Sequence, residues 1–123
     1  MPRDRALREA ADRRGRHAED RAAAALGAEG WVVLARRART PAGEIDLVAE
    51  RDGLLAFVEV KARATLTDAA FALGATQRGR LLRAGEWWLG ANPARGAAGV
   101  RFDVVLVDGQ GRVRRIADAF RLE

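Results

Sequence analysis

The sequence contains no cysteine, a single lysine and no long apolar run, and each scarcity narrows its possible functions. Without cysteine, a disulfide, thiol catalysis and a thiolate metal site are all excluded. No apolar run approaches the ~18 residues that a membrane-spanning helix needs. Charges throughout the first 16 residues leave no room there for the hydrophobic segment of a signal peptide. We therefore expect a cytoplasmic protein.

The composition is that of a basic, globular protein. Its 123 residues are 49% hydrophobic and 32% charged, which predicts one domain over residues 1–123 with a single core. The net charge of +5 and the pI near 11.2 favour a polyanionic partner, with nucleic acid first. Arginine clusters occur at residues 13–16, 36–39, 78–83 and 112–115. The alternative is that coding bias enriched alanine, arginine and glycine, and that most arginines are simply solvated.

Hydrophobic periodicity and turn residues predict the element order α-β-β-β-α-β-β. The predicted helices cover residues 4–28 and 75–90, and the predicted strands cover 31–38, 44–50, 54–62, 100–108 and 112–120. Pro41 and Gly43 indicate a turn between the first two strands. Asp52-Gly53, between two alternating runs, is the strongest short signal of a hairpin. We expect a loop near residues 63–69.

The Asp52-Gly53 turn also predicts which charged residues lie opposite each other. If these two residues form a type I′ turn, the numbers of cross-strand partners sum to 105. Asp46 then faces Glu59, and Glu44 faces Lys61. Strand alternation puts these four side chains on one face of the sheet. The other face is then expected to be core, and it carries Ile45, Leu47, Val58 and Val60.

Opposed carboxylates are unusual in the middle of a purely structural hairpin. Their Cβ atoms would lie about 4.5–5.5 Å apart, so the two charges repel each other. Mg²⁺ uses such carboxylate pairs while it keeps several waters and a substrate phosphate. The D-x₁₂-E-x-K spacing therefore predicts a cation site at Asp46 and Glu59. The alternatives are a one-residue shift in register, or solvated acids with Glu44 and Lys61 as an ordinary ion pair.

Lysine occurs once among the 22 basic residues, at Lys61, and the other 21 are arginine. A compact ammonium can orient one attacking water, and its pKa can shift in a partly buried site. A guanidinium stays protonated and presents a rigid planar fork, which suits phosphate clamping better. We therefore predict a catalytic role for Lys61. A single surviving lysine can also arise by chance.

The chain resembles the YraN family of small bacterial proteins over nearly its whole length. The resemblance is carried by GRHAEDRAAAALGAEGWVVLARRAR, GEIDLVAERDGLLAFVEVKAR and RFDVVLV. That family is similar to the PD-(D/E)xK nucleases and the Holliday-junction resolvases. The resemblance implies an α/β fold with a restriction-endonuclease-like core, in which helices flank a mixed central sheet. It also implies a Mg²⁺ or Mn²⁺ site and DNA as the substrate.

The resemblance also assigns roles to individual residues. Asp46, Glu59 and Lys61 fall on the D…ExK positions of the nucleases, and Glu19 falls on the first-helix glutamate that often completes such sites. We therefore predict Asp46, Glu59 and Glu19 as metal ligands, and the same three residues with Lys61 as catalytic. One departure is that Gln77-Arg78 stand where the family commonly has a Lys-Gln pair.

The arginine clusters supply the predicted nucleic-acid contacts. We expect Arg36, Arg37 and Arg39 to hold the phosphate backbone, and Gln77 and Arg78 to contact phosphate from the second helix. DNA is favoured over RNA, and a homodimer would suit a branched substrate. The competing hypothesis is a non-catalytic module that retains the nuclease fold and docks nucleic acid or a protein. A third is a basic structural protein of a ribonucleoprotein particle.

Other polar and aromatic residues have simpler structural interpretations. Asp103 interrupts a buried strand, and we expect it to pair with an arginine such as Arg101 or Arg39. Trp87 and Trp88 favour packing in the core or in a dimer over stacking on bases.

Overall fold

The computed structural model describes residues 2–65 and 75–120. Its elements are α1 (Pro2–Ala28), β1 (Val32–Thr40), β2 (Gly43–Arg51), β3 (Leu54–Ala62), α2 (Ala75–Ala91), β4 (Gly99–Val107) and β5 (Val113–Phe120). Element types and order agree with the prediction from the sequence. Most of the loop expected near residues 63–69 lies outside the described residues. Within the described ranges, neither helix is both long and apolar enough to cross a membrane.

The five strands form one mixed sheet in the order β1-β2-β3-β4-β5. All neighbours are antiparallel except β3 and β4, which are parallel. A parallel pair needs a crossover connection, and the connection from β3 to β4 includes α2. The predicted α/β class with a mixed sheet and flanking helices is confirmed at this level.

The two predicted turns are present. Asp52 and Gly53 have φ angles of 52° and 79°, the left-handed values that a type I′ turn requires at both central positions. The β2–β3 register follows from it, since Arg51 pairs with Leu54 and Leu47 pairs with Val58. The residues around Pro41 form the other turn, where Thr40 pairs with Gly43.

Both faces of the sheet are buried under helices. On the α1 face, Ala18, Ala22 and Leu26 pack with a cluster that includes Leu47, Val58, Val105 and Val107. On the α2 face, Leu81 and Trp88 pack with Ile45, Phe57 and Phe102. Helix α2 lies close to the sheet because Gly85 has no side chain, and a Cβ there would lie 2.9 Å from Phe102. The predicted packing of Trp88 is confirmed, whereas Trp87 is 47% exposed.

Strand β2 changes face at one position. Ile45 packs on the α2 face and Leu47 on the α1 face, so the residues on either side of Asp46 point to opposite faces. Arg37 in β1 is the residue missing between the pairs Arg36–Leu47 and Ala38–Ile45, and its φ of 50° is left-handed. The prediction that Ile45 and Leu47 share one core face is therefore wrong, because this kink interrupts the alternation.

Candidate functional site

Strands β2 and β3 part at the kink, next to Asp46. Their ladder ends at the Leu47–Val58 pair. In a continued ladder, Val60 would donate to the carbonyl of Ile45, because hydrogen-bonded pairs alternate along an antiparallel hairpin. Instead the Val60 N–H donates to Oδ2 of Asp46 at 2.8 Å. The Asp46 carboxylate thus takes over a backbone hydrogen bond where the sheet opens.

The predicted rungs beyond this point are not in the ladder. Asp46 is not paired with Glu59 by backbone register, and Glu44 is not paired with Lys61. Glu44 instead pairs with Arg39 on the β1 side. The predicted cross-strand pairing of these residues is therefore wrong, because the two strands part beyond the Leu47–Val58 pair.

Asp46 borders a small solvent-accessible cavity of about 270 Å³. The cavity wall also includes Glu19 from α1 and Lys61 from β3. Burial, followed by the nearby charge of Glu59, raises the pKa of Asp46 to about 7, and the Val60 N–H offsets part of this effect. The Glu59 carboxylate is therefore close enough to oppose the ionisation of Asp46.

Glu59 is buried and only partly satisfied. Its Oε1 lies 3.3 Å from Nζ of Lys61 and 3.7 Å from Nη2 of Arg80. Its Oε2 is buried and has no hydrogen-bond partner in the described part of the chain. A buried carboxylate oxygen without a donor is costly, and such an atom requires an explanation.

Lys61 lies near both carboxylates. Its side chain is 11% exposed, contacts Glu59 and lines the same cavity as Asp46. A lysine buried to this extent keeps its ammonium close to one spot, next to the cavity. The structure thus brings together Asp46, Glu59 and Lys61, the three residues of the D…ExK pattern.

Arg80 belongs to this site and was missed by the sequence interpretation. Its Nη2 approaches Glu59, and its Nη1 donates to the carbonyl of Glu44 at 2.9 Å. The side chain passes over Gly43, where a Cβ would lie 2.7 Å from Nη1 of Arg80. The signal was weak, because Arg80 was one member of the cluster at 78–83.

Glu19 lies in the cavity wall, but its carboxylate is already engaged. Its Oε1 accepts a hydrogen bond from Nε of Arg37 at 2.8 Å, and the residue is 8% exposed. Arg37 is the residue with the left-handed φ of 50°, a conformation that costs a non-glycine residue about 1–2 kcal/mol. Such strain persists where the surroundings hold it, and it clusters at functional sites.

The other predicted nucleic-acid contacts are more dispersed. Arg36 forms an ion pair with Asp20 of α1. Arg39 is exposed on β1, and Arg78 is exposed in the first turn of α2. Gln77 has a buried Oε1 without a hydrogen-bond partner among the described residues. Their role in binding nucleic acid stays a prediction.

The donor set fits a hard divalent cation with two protein ligands. Within residues 2–65 and 75–120, no three acidic or histidine side chains converge closely enough to form a metal cluster. Mg²⁺ does not need one, because it usually binds one or two carboxylates and keeps several waters or substrate oxygens. The unpartnered Oε2 of Glu59 and the raised pKa of Asp46 both describe a site short of positive charge. Glu19 as a third ligand stays a prediction.

Gly15 lies in the wall of the cavity on the α1 side. It lines the cavity, and a Cβ built there would meet no atom within 4 Å. Glycine in a helix interior costs about 0.5–1 kcal/mol relative to alanine. The sequence gave no reason to single it out, because only the position of α1 over the sheet shows what Gly15 borders.

Comparison with known proteins identifies the family. The model of the uncharacterised protein family UPF0102 matches residues 18–107, a range that contains Glu19, Asp46, Glu59 and Lys61. The chain is 59% identical to a UPF0102 protein of Granulibacter bethesdensis over 113 residues, which are 92% of this chain and 72% of that protein. It is 50% identical to one of Bradyrhizobium diazoefficiens, over 92% of this chain and 85% of that protein. A UPF0102 protein of Azorhizobium caulinodans is 47% identical over 97% of this chain and 91% of its own length. The chain belongs to the UPF0102 family, also called the YraN family.

Proposed function

We propose that this protein is a metal-dependent nuclease that hydrolyses phosphodiester bonds in nucleic acid, with DNA favoured over RNA, on a restriction-endonuclease-like core. The observation that carries the proposal is the proximity of half-buried Asp46 to buried Glu59, with one Glu59 oxygen unpartnered among the described residues, beside the largely buried ammonium of Lys61. The site is reached through an open cavity.

A structural explanation of this site is weak. Burying a carboxylate is unfavourable unless it is paired and hydrogen-bonded, and two neighbouring carboxylates compound the cost. Lys61 and Arg80 approach the same oxygen of Glu59, so they leave the second oxygen unsatisfied. A divalent cation between Asp46 and Glu59 would compensate both carboxylates at once.

Each residue of the site has a distinct part in the proposed reaction. Asp46 and Glu59 would hold Mg²⁺ or Mn²⁺, and the bound ion would polarise the phosphodiester and stabilise the leaving oxygen. Asp46 releases its proton when it becomes a ligand, because metal ligands must be deprotonated. Lys61 orients the attacking water through its ammonium, which Glu59 holds in place. Arg80 is positioned to neutralise the charge of a phosphate near Glu59.

The direct test is cleavage of a panel of labelled substrates. Purified protein with Mg²⁺ or Mn²⁺ should cut at least one of linear, flapped or four-way DNA, and chelation of the metal should stop it. Asp46→Asn should lose metal affinity and cleavage together. If the parent protein binds nucleic acid tightly but cuts no substrate on the panel, the non-catalytic binding module replaces the nuclease.

Gly15 provides a test that leaves all charged residues in place. Gly15→Leu should place a side chain in the cavity and stop cleavage, because no protein atom fills that space. Gly27→Leu is the matched control, since Gly27 also lies in α1 with open space at its Cβ and does not line the cavity. Equal cleavage by both variants would mean that the substrate does not enter through the cavity.

A further inference from the structure

A second, larger cleft adjoins the carboxylate site on the α1 side. Its volume is about 1000 Å³, and it lies between α1, the end of β3 and the turn between β4 and β5. We call it the α1 cleft and define it by Arg13, His17 and Arg21 of α1, Arg63, and residues 108–111 of the turn. It shares Ala18, Ala62 and Arg63 with the cavity at Asp46, so the two spaces are neighbours.

The basic side chains of the α1 cleft form a regular row. Arg13, His17 and Arg21 are spaced at i, i+4 and i+8, so they lie along one side of α1. Arg13 and Arg21 are separated by about 12 Å along the helix axis, at a rise of 1.5 Å per residue. Over that distance along the axis of a B-form duplex, one strand carries three or four phosphates, at one per about 3.4 Å of axis.

The charges in this row are available to an anion. None of Arg13, Arg21 and Arg63 forms an ion pair with a carboxylate whose side chain the structure describes. By contrast, Arg36 and Arg37 of the predicted clamp are paired with Asp20 and Glu19. The cleft arginines therefore have more uncompensated charge to offer.

Asp108 is the one carboxylate among the described residues that line the α1 cleft, and it does not oppose this use. Oδ1 of Asp108 accepts hydrogen bonds from the N–H groups of Gln110 and Arg112, and Oδ2 accepts one from Nε of Arg112. The carboxylate of Asp108 is thus occupied by the hydrogen bonds that hold the turn. The same turn leaves room for the side chain of Arg21, because a Cβ at Gly111 would lie 2.9 Å from Nε of Arg21.

We propose that the α1 cleft binds the sugar-phosphate backbone of the same nucleic-acid strand whose phosphodiester lies at Asp46 and Glu59. This inference rests on the proposed function and gives it a direction: the strand leaves the carboxylate site past Arg63 and follows α1 over Arg21 towards Arg13. The site of tightest backbone contact is then the α1 cleft, and the arginines of β1 contribute less.

The experiment measures the salt dependence of binding for three matched pairs of substitutions. The probe is a fluorescently labelled DNA duplex, with chelator present so that no cleavage occurs, and anisotropy gives the affinity over a series of salt concentrations. The variants are Arg13→Gln/Arg21→Gln in the cleft, Arg36→Gln/Arg39→Gln on β1, and Arg5→Gln/Arg8→Gln as the control. The control lies on the same helix outside the cleft and removes the same charge.

The cleft variant should bind more weakly and should reduce the slope of log K against log salt by nearly two, at about 0.9 per lost phosphate contact. The control should leave the slope unchanged, and Arg13→Lys/Arg21→Lys should restore it, which excludes a folding defect. If the cleft and control variants behave alike while the β1 variant loses slope, the strand path is wrong and the proposed nuclease function stands. If the parent does not bind nucleic acid, both proposals are overturned.

Discussion

Two buried acidic centres of this protein, at Asp103 and at Asp46–Glu59, are built in opposite ways. Asp103 is fully buried in β4, and both its oxygens receive hydrogen bonds from Arg101, at 3.1 and 2.8 Å. Arg115 adds a second guanidinium at 3.8 Å, and both arginines lie over the ring of buried Trp31. At the other centre, an oxygen of Glu59 has no partner in the described residues, and the pKa of Asp46 is raised to about 7.

In the proposed function, Asp103 is an acid that holds the fold, whereas Asp46 and Glu59 are acids that bind a cation. A carboxylate with a bidentate arginine is satisfied, and its removal leaves charges unpaired. For Asp46, burial and the charge of Glu59 oppose ionisation, and in the proposed function a bound cation would offset both. The predictions below test this distinction, from the largest expected effect to the smallest.

Lys61→Arg should separate catalysis from binding. The substitution preserves the charge, but a guanidinium is bulkier and cannot orient a single water as an ammonium does. If the lysine acts in water activation, cleavage should fall about 10²–10⁴-fold. Affinity for nucleic acid, measured by anisotropy, should stay near that of the parent. Cleavage at the parental rate in saturating Mn²⁺ would show that the single lysine is an accident of composition.

Asp103→Asn should destabilise the fold without any metal involved. The change keeps the shape but leaves Arg101 and Arg115 without their counter-charge, and breaking a buried pair in this way costs about 3 kcal/mol or more. The measurement is the urea midpoint at neutral pH. Asp20→Asn is the control, because that acid is exposed and pairs with Arg36 at the surface, so we expect no resolvable shift. Similar midpoints for both variants would remove the structural role assigned to Asp103.

Asp46 should make the metal-free protein less stable as the pH rises. Because the folded pKa of Asp46 is about 7 and the ordinary pKa of an aspartate is 3.8, the native state holds the proton that the unfolded chain has already lost. The protonated Asp46 contributes on the order of 2–4 kcal/mol to the free energy of unfolding. This contribution is fully present below about pH 4 and is lost by about pH 7.

Asp46→Asn should remove that pH dependence and should be the more stable protein at pH 8 in chelator, as shown by thermal melts. Adding Mn²⁺ at pH 8 should reverse the order, since only the parent can bind it through this carboxylate. A parent whose stability is flat from pH 4 to 8 would contradict the raised pKa.

Gly15→Ala should give the smallest change. An alanine in the helix interior should raise the free energy of unfolding by about 0.5–1 kcal/mol, and the added methyl meets no atom within 4 Å. Chemical denaturation measures the gain. If the free energy of unfolding does not rise, Gly15 has a structural role beyond lining the cavity.

Much of the fold could be predicted because its signals are local. Asp52-Gly53 fixed the hairpin, since both residues accept the left-handed φ of a type I′ turn. Mostly apolar stretches at Leu54–Ala62 and Gly99–Val107 marked β3 and β4. The pairing of Asp103 with Arg101 could also be expected, because an acid inside an apolar strand must find a cation.

The geometry of the site could not be predicted, because it depends on an exception to alternation. Strand patterns assume that side chains alternate without interruption, and the kink at Arg37 and Asp46 breaks that rule. An arginine carries no sequence signal for a left-handed φ, unlike glycine or asparagine. Arg80 and the α1 cleft depend on how the two helices pack over the sheet, which the sequence pattern leaves open.

Some of the arginines lie on the open edges of the sheet, where they can have a role that involves no ligand. β1 and β5 lie at the two ends of the strand order, so each has a side that no described strand covers. Such edges invite pairing with a second chain, and charged side chains along them are a common protection against aggregation. Arg36 and Arg39 on β1 and Arg114 on β5 place exposed positive charge there, beside exposed Val32 and Ile116. We therefore expect Arg114→Val to lower the concentration at which the protein begins to scatter light, and an unchanged threshold would leave these charges without a protective role.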